Sequence, residues 1–292
     1  MPYPARLICA CLTIADLPDV MSARPEVANM ITQLLGGTES SSVAISSTKK
    51  SKVATHGQGG VGKTTMAILT VHDEAVRRLF DRIGWVSVGQ TPAVMTLQQA
   101  LYRQLTDETM EITTDATIDS QCDALQKACK GKHLLVVLDD VWDAKHEKAL
   151  NCIDEETKSR LLVTSRIRGL VQGSSEVSLD LMSSDEAVDL VLRTGEVEDP
   201  TQDDVKAAEV IAIFCDRLPL YLGICGGMIV AYDGDQSWHT ELVGMLRIDR
   251  VGVMNEEDSA VESVVDSSLK MLKDAHAEAL FMSLGFCPED VP

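Results

Sequence analysis

The chain has 292 residues, which is enough for one main domain, a smaller satellite domain and a flanking piece. Its formal net charge of −19 at neutral pH repels phosphate backbones and anionic lipid, so we expect this segment to bind neither nucleic acid nor membranes. No part of the sequence approaches the roughly 18 consecutive apolar residues of a membrane-spanning helix. The N-terminal residues also lack a signal-peptide pattern, and we therefore expect a cytoplasmic protein.

The eight cysteines form no CxxC pair, and several of them lie among apolar residues. That usage is typical of reduced thiols in the core of an intracellular protein rather than of disulfides or zinc ligands. We predict reduced core thiols at Cys9, Cys11, Cys122, Cys129, Cys152, Cys215, Cys225 and Cys287.

Residues 1–50 are predicted to form an N-terminal segment and a linker. They contain an amphipathic stretch at residues 24–35, and the following stretch, up to the start of the first strand, is rich in Gly, Ser and Thr. From residue 51 to residue 181, short apolar runs alternate with helical periodicity, which predicts an α/β domain with a parallel sheet sandwiched by helices. The predicted strands are residues 53–55, 83–88, 133–140, 160–164 and 177–181, and the predicted helices are residues 63–80, 96–105 and 118–130.

After residue 181 the strand pattern stops and helical patterns follow. Ser183 and Glu186 have the spacing of a capping box, which predicts a helix that begins there and runs through Arg193. Further helices are predicted at residues 205–215, 220–230, 238–246 and 259–273. We therefore predict a small all-helical domain at residues 182–250.

The sequence GQGGVGKTT at residues 57–65 fits the P-loop pattern and lies between a predicted strand and a predicted helix. Its glycines let the backbone N–H groups point at phosphates, aided by the positive end of the helix. Lys63 is expected to reach the β- and γ-phosphates, and Thr64 to offer its hydroxyl to Mg²⁺. The predicted nucleotide contacts in this loop are Gly57, Gly59, Gly60, Val61, Gly62, Lys63, Thr64 and Thr65.

A second motif, KHLLVVLDDVWD, places two acids at the C-terminal end of an uninterrupted apolar strand. Ligands bind at that edge of an open parallel sheet. Asp139 is the predicted Mg²⁺ ligand, while Asp140 is predicted to orient or deprotonate an attacking water. Together with Lys63, these two acids are the predicted catalytic residues.

A third motif, SRLLVTSR, is a strand that ends in Thr164, Ser165 and Arg166. In AAA-like P-loop ATPases the strand after the Mg²⁺ strand inserts beside the P-loop strand and points a polar residue at the γ-phosphate. Arg166 is the predicted γ-phosphate sensor, with Arg160 and Arg168 as alternatives.

These motifs, followed by CDRLPLYLGICGG and LGFCPEDVP, occur in the order found in the NB-ARC module of plant disease-resistance proteins and of apoptotic caspase-activating factors. The resemblance covers roughly residues 20–292. It implies a STAND-class protein of innate immune signalling that switches between an ADP-bound resting state and an ATP-bound active state and hydrolyses ATP slowly. It also implies that the ATP-bound state forms homo-oligomers. It also implies that effector and sensor domains, from the same polypeptide or from other proteins, are the partners.

By the same resemblance, Pro219 in the RLPL motif is expected to lie against the adenine, although a proline that begins a helix gives the same pattern. Arg24 is expected to pass near the base, and residues 251–292 are expected to begin a winged-helix domain. The family usually has Met where this chain has Gln58, and Gly where this chain has Arg217. The Met-His-Asp motif of the family is expected to lie beyond Pro292.

Two other functions remain open at the level of sequence. A multiple-turnover AAA-like ATPase would use the same motifs to drive movement, and a STAND-type transcription regulator would carry a DNA-binding domain elsewhere. Tightly retained ADP would favour the switch, whereas an empty site with brisk turnover would favour the motor.

Overall fold

The structure is a computed structural model that describes residues 24–35 and 51–251. The predicted helix at residues 259–273 and all but the first residue of the predicted winged-helix segment lie outside the described residues. The same holds for Cys9, Cys11 and Cys287. None of the helices in the described part of the chain has both the length and the apolar character needed to cross a membrane.

Within the described residues, five parallel strands form one sheet, in the spatial order β2-β3-β4-β1-β5. The third motif strand, β4, pairs with β3 on one side and with β1, the P-loop strand, on the other. Its place beside the P-loop strand was predicted. The carboxyl ends of these three strands therefore meet at one edge of the sheet, where the predicted site residues follow them. The strands are β1 (Lys52–His56), β2 (Arg82–Gly89), β3 (Leu134–Val141), β4 (Arg160–Ser165) and β5 (Ser175–Ser178).

Strand β3 shows why the central strands are apolar without interruption. Its successive side chains point to opposite faces of the sheet, so that Leu135 and Val137 join one apolar cluster while Leu134 and Val136 join another. Helices cover both faces: α1, α2 and α3 pack on the first, and α4, α5 and α6 on the second. They are α1 (Pro25–Leu35), α2 (Lys63–His72), α3 (Glu74–Leu79), α4 (Val94–Thr106), α5 (Ile118–Cys129) and α6 (Ala144–Leu150).

Three details of the predicted α/β region differ from the structure. The helix predicted at residues 63–80 is two helices, because Asp73 leaves the helical conformation and its carboxylate caps α3 by accepting from the N–H groups of Ala75 and Val76. The last strand is Ser175–Ser178 rather than 177–181, because its partner β1 ends at His56. Helix α6, begun by the Asp143 cap, was not predicted.

A separate helical unit follows the sheet and has its own apolar cluster. The predicted capping box is present, since the Ser183 hydroxyl accepts from the Glu186 N–H and the Glu186 carboxylate accepts from the Ser183 N–H. The elements are α7 (Ser184–Thr194), α8 (Gln202–Phe214), α9 (Pro219–Val230), a 3₁₀ helix (Gln236–His239) and α10 (Glu241–Val251).

The described cysteines are all free thiols, and four of the five are buried. Cys122 on α5 is only half-buried, so the prediction of a core position is wrong for this residue, whose Sγ lies 3.9 Å from the Lys148 carbonyl oxygen on α6. Burial raises the pKa of the Cys122 thiol, with the nearby carboxylates of Asp123 and Asp119 acting in the same direction.

Candidate functional site

The loop at residues 57–62 joins β1 to α2 at the carboxyl edge of the sheet. A Cβ atom built on Gly57 would lie 2.7 Å from the carbonyl oxygen of Leu179, so only glycine fits there. Gly62 is left-handed, with φ of 94°, and no side chain of the described residues caps α2 at this position. The first N–H groups of α2 therefore open towards the loop, which suits an anion. Val61 is buried in the apolar cluster beneath the loop and anchors it.

Lys63 lies inside the loop, with only 8% of its surface exposed. Its Nζ donates to the carbonyl oxygens of Gly57 and Gln58, at 2.9 Å each. Burial lowers the pKa of Lys63, the charge of Arg166 acts in the same direction, and the carboxylates of the two site acids act against both. An ammonium has three N–H groups, so these two bonds leave one that can be donated to a phosphate.

Asp139 is the last residue of the uninterrupted buried run of β3 and contacts the start of α2 through Thr64. The Thr64 hydroxyl lies 2.9 Å from Oδ1 and 3.1 Å from Oδ2 of Asp139, so the two predicted Mg²⁺ ligands are neighbours. Burial raises the pKa of Asp139, while the hydroxyls of Thr164 and Thr64 oppose that shift by donating to the carboxylate.

Thr164 has a role that the sequence did not reveal. Its hydroxyl donates to Asp139 Oδ1 at 2.6 Å and accepts from the Asp140 N–H at 2.8 Å. One side chain of β4 thus fixes the first acid and the backbone of the second. The place of β4 beside the P-loop strand was predicted, but the contacts that Thr164 makes from this position were not.

Asp140 is left-handed, with φ of 54°, and its carboxylate faces Trp142 and Arg166. The indole Nε1–H of Trp142 donates to Asp140 Oδ2 at 3.0 Å. Arg166 Nε lies 3.9 Å from Asp140 Oδ1, and the Arg166 Cζ lies 4.8 Å from the centre of the Trp142 ring. The sequence contained Trp142 two residues after Asp140, but nothing in the motif showed that it would contact both charged groups.

Of the three candidate sensor arginines, Arg166 lies beside the loop. A Cβ built on Gly59 would meet Arg166 Nη1 at 3.3 Å. Arg160 begins β4 and is buried at the opposite end of that strand. Arg168 forms an ion pair with Glu176, at 3.5 Å between Nε and Oε2.

Residues 179–182, which we call the crossing segment, touch each remaining candidate region. Leu179 lies against Gly57, and the Asp180 carbonyl accepts from Arg24 Nη2 at 2.9 Å. The Met182 N–H donates to the Arg217 carbonyl at 3.3 Å. Arg24 is 5% exposed, and its Nε and Nη1 have no hydrogen-bond partner among the described residues.

Helix α9 begins next to the loop. Pro219 is the first residue of α9, where its fixed φ suits a helix start, and the Leu220 N–H donates to the Gly60 carbonyl at 3.3 Å. The RLPL motif is thus brought to the P-loop, while Arg24 reaches the same region through the crossing segment.

The site offers oxygen ligands for one divalent cation. Thr64 and Asp139 together supply a hydroxyl and a carboxylate, and Mg²⁺ is usually held by one or two carboxylates together with substrate phosphates and water. The described residues contain no group of three His, Cys, Asp or Glu side chains that would hold a metal without such a ligand. The donor set therefore fits Mg²⁺ that arrives with phosphates.

The NB-ARC domain family model matches residues 42–198, which is more than half of the chain. The chain belongs to the NB-ARC family. It is 26% identical over 251 residues to the disease resistance RPP13-like protein 4 of Arabidopsis thaliana, a match that covers 80% of this chain and 28% of that protein. The disease resistance RPP8-like protein 3 of the same plant is also 26% identical, and the match covers 82% of this chain and 27% of that protein.

The NB-ARC chain therefore spans little more than a quarter of the length of these relatives. Among solved structures, the ORC2 protein of Aeropyrum pernix in its ADP form matches with a TM-score of 0.53 and 15% identity. That match covers 92% of this chain and 86% of the other. It supports the same P-loop NTPase fold.

Proposed function

We propose that this NB-ARC chain is a nucleotide switch in plant-type defence signalling, which holds ADP in a resting state and ATP in an active state and hydrolyses ATP slowly. The observation that carries the proposal is the contact between Thr64 and Asp139, beside Lys63 in the loop. It brings the proposed phosphate-binding loop next to the proposed magnesium ligand, and a Mg²⁺-nucleotide requires both.

The phosphates would be held by the loop. The backbone N–H groups from Gly57 to Thr65 would surround the α- and β-phosphates, and the Lys63 ammonium would bind the β- and γ-phosphates. Thr64 and Asp139 would hold Mg²⁺, which would supply positive charge that neutralises the phosphates. Because Thr64 is exposed and Asp139 is buried, the cation would bind at the border between solvent and protein.

Hydrolysis would depend on the charged groups after β3 and β4. Asp140 would orient or deprotonate the attacking water, and Arg166 would contact the γ-phosphate, which only ATP presents. The position of Arg166 against Gly59 supports this assignment over Arg160 and Arg168.

The base would lie between Arg24 and Pro219. The crossing segment contacts Arg24 through Asp180 and Arg217 through Met182, and the P-loop contacts the start of α9 through Leu220. The two unpaired nitrogens of the buried Arg24 side chain also support a polar ligand nearby.

We divide the chain into an N-terminal segment (1–50), a nucleotide-binding domain (51–181), a helical domain (182–250) and the start of a winged helix (251–292). Effector and sensor domains, and other copies in the ATP state, are the proposed partners, and the cytoplasm is the proposed location. The separate apolar clusters on the sheet and in the helical unit support the boundary near residue 181.

Two measurements test the proposed function. The nucleotide that is retained after purification is identified by chromatography, and we expect ADP. Calorimetry then compares Lys63→Ala with Lys206→Ala, an exposed lysine of α8 that pairs only with its neighbour Asp203 among the described contacts. ADP affinity should fall at least about tenfold in Lys63→Ala alone, because charge-assisted phosphate bonds are lost.

Unchanged affinity in Lys63→Ala would remove the P-loop assignment. An empty site combined with steady, rapid turnover would favour the AAA-like motor instead of the switch.

A further inference from the structure

Trp142 contacts two charged groups of the site and has no part in the chemistry described so far. Its indole N–H points at the Asp140 carboxylate, and its ring face lies under the Arg166 guanidinium. The side chain is half-buried, so it is neither a core residue nor a free surface residue.

The two charged groups do not fix each other. Arg166 Nε and Asp140 Oδ1 are 3.9 Å apart, and the side chains are 49% and 34% exposed respectively. Ion pairs of this length at such exposure are screened by solvent and define little geometry. The orientation of each side chain must therefore come from another group.

Trp142 supplies both missing restraints. The Thr164 hydroxyl holds the Asp140 backbone N–H, but it leaves the carboxylate free to rotate. The Trp142 Nε1–H is a directed donor at 3.0 Å and fixes Oδ2. The Arg166 guanidinium lies over the ring face, with Cζ 4.8 Å from the ring centre, and this cation–π contact holds it against Gly59.

We propose that Trp142 is a positioning residue that aims the Asp140 carboxylate through its indole N–H and holds Arg166 beside the P-loop through its ring face. The inference rests on the proposed function, because it assigns the roles of Asp140 and Arg166. The proposal gives separate roles to the indole N–H and to the ring face of Trp142, and substitutions can remove them one at a time. Phenylalanine keeps a ring face and loses the donor, while leucine loses both.

The first experiment measures single-turnover hydrolysis of Mg²⁺-ATP. Trp142→Phe should lower the rate about tenfold, as expected when a catalytic base is present but poorly aimed. The ratio of ATP to ADP affinity should stay unchanged, since Arg166 still lies on a ring. In an Asp140→Asn background, Trp142→Phe should have no further effect on the rate. The same fold loss in both backgrounds would overturn the proposed action through Asp140.

The second experiment measures ATP and ADP affinity by calorimetry. Trp142→Leu should weaken ATP about threefold relative to ADP, the size expected for a partly exposed cation–π contact. In an Arg166→Ala background this selective loss should disappear. An equal loss for both nucleotides, or a selective loss that persists without Arg166, would overturn the action through Arg166.

Trp238→Phe is the matched control, because Trp238 is buried in the apolar cluster of the helical unit. It should lower the melting temperature without changing the rate or the affinity ratio. A failure of the proposed function would show in the single variants that keep Trp142. Asp140→Asn would then keep full turnover, or Arg166→Ala would weaken ATP and ADP binding equally. The role of Trp142 is tested only by comparing the effect of its substitution with and without Asp140 or Arg166.

Discussion

Asp139 and Asp140 are adjacent in sequence but sit in different surroundings. Asp139 is 5% exposed and accepts from two threonine hydroxyls, whereas Asp140 is partly exposed and faces an indole N–H and a guanidinium. A buried carboxylate is suited to binding a cation, which compensates its negative charge. An accessible carboxylate is suited to contacting water. The two acids should therefore give different phenotypes.

Asp140→Asn should bind Mg²⁺-ATP with nearly unchanged affinity and hydrolyse it at least about a hundredfold more slowly, which is the low end of the range for general acid–base catalysis. Calorimetry and single-turnover assays measure the two properties on the same protein. Asp139→Asn is the comparison and should lose Mg²⁺-dependent binding. Identical losses of binding in the two variants would show that the division of roles is wrong.

Asp139→Asn should also stabilise the nucleotide-free protein at neutral pH. Burial raises the folded-state pKa of Asp139 above its unfolded value, so the folded state holds a proton that the unfolded state has released. Wild-type stability therefore falls as pH rises from the unfolded pKa to the raised one. Asparagine has no such loss, and the difference between the melting temperatures should grow across this window and then level off.

Thermal melts without nucleotide or Mg²⁺, from acidic to neutral pH, measure that difference. Asp203→Asn, which removes an exposed acid of α8, is the control for the loss of one carboxylate elsewhere in the chain. A wild type that gains stability relative to Asp139→Asn with rising pH would contradict the prediction.

At the level of elements, the sequence predicted best where packing repeats along the chain. Strand β3 is apolar on both faces because helices cover both, and this pattern located it within one residue. Helix α6 has only seven residues, AKHEKAL, too few to show an apolar period, and it was missed. The break at Asp73 was also missed, because the helical patterns before and after this residue are continuous in the sequence and only the side-chain cap separates the two helices.

The candidate site also contains features that the sequence predicted and features that it did not. The place of the P-loop motif between a strand and a helix, and of Asp139 near the end of β3, could be predicted because both follow from residue types and spacing along the chain. The contacts of Thr164 and Trp142 were not, since they depend on side-chain directions that arise only when strands pair.

The Asp73 cap allows a direct test at this scale. Asp73→Ala should destabilise the protein by about 1 kcal/mol, because two N–H groups at the start of α3 lose their acceptor. The expected fall in melting temperature is about 2–4 °C for a chain of this size. Asp73→Asn keeps a capping oxygen and should restore most of the loss. If asparagine melts as low as alanine, the capping role is wrong.

For the whole molecule, ADP should stabilise the sheet and the helical unit together. At about 100 times Kd, a ligand adds roughly 2.7 kcal/mol to the free energy of unfolding. Because the start of α9 contacts the P-loop through Leu220 and Gly60, hydrogen exchange should slow in α9 as well as in α2 when ADP binds. Lys63→Ala should show neither effect. Protection confined to α2 would place the nucleotide on the sheet domain alone.

The crossing segment gives this arrangement a mechanical consequence. It carries the chain from β5 to α7, and along the way it lies against Gly57, accepts from Arg24 and donates to Arg217. A rotation of the helical unit would therefore displace the crossing segment, whose Leu179 packs against Gly57 and donates its N–H to the carbonyl of His56, the last residue of β1. Force applied to the helical unit should thus reach the phosphate loop and the end of β1 together, and a protein that pulls on this unit should weaken nucleotide binding.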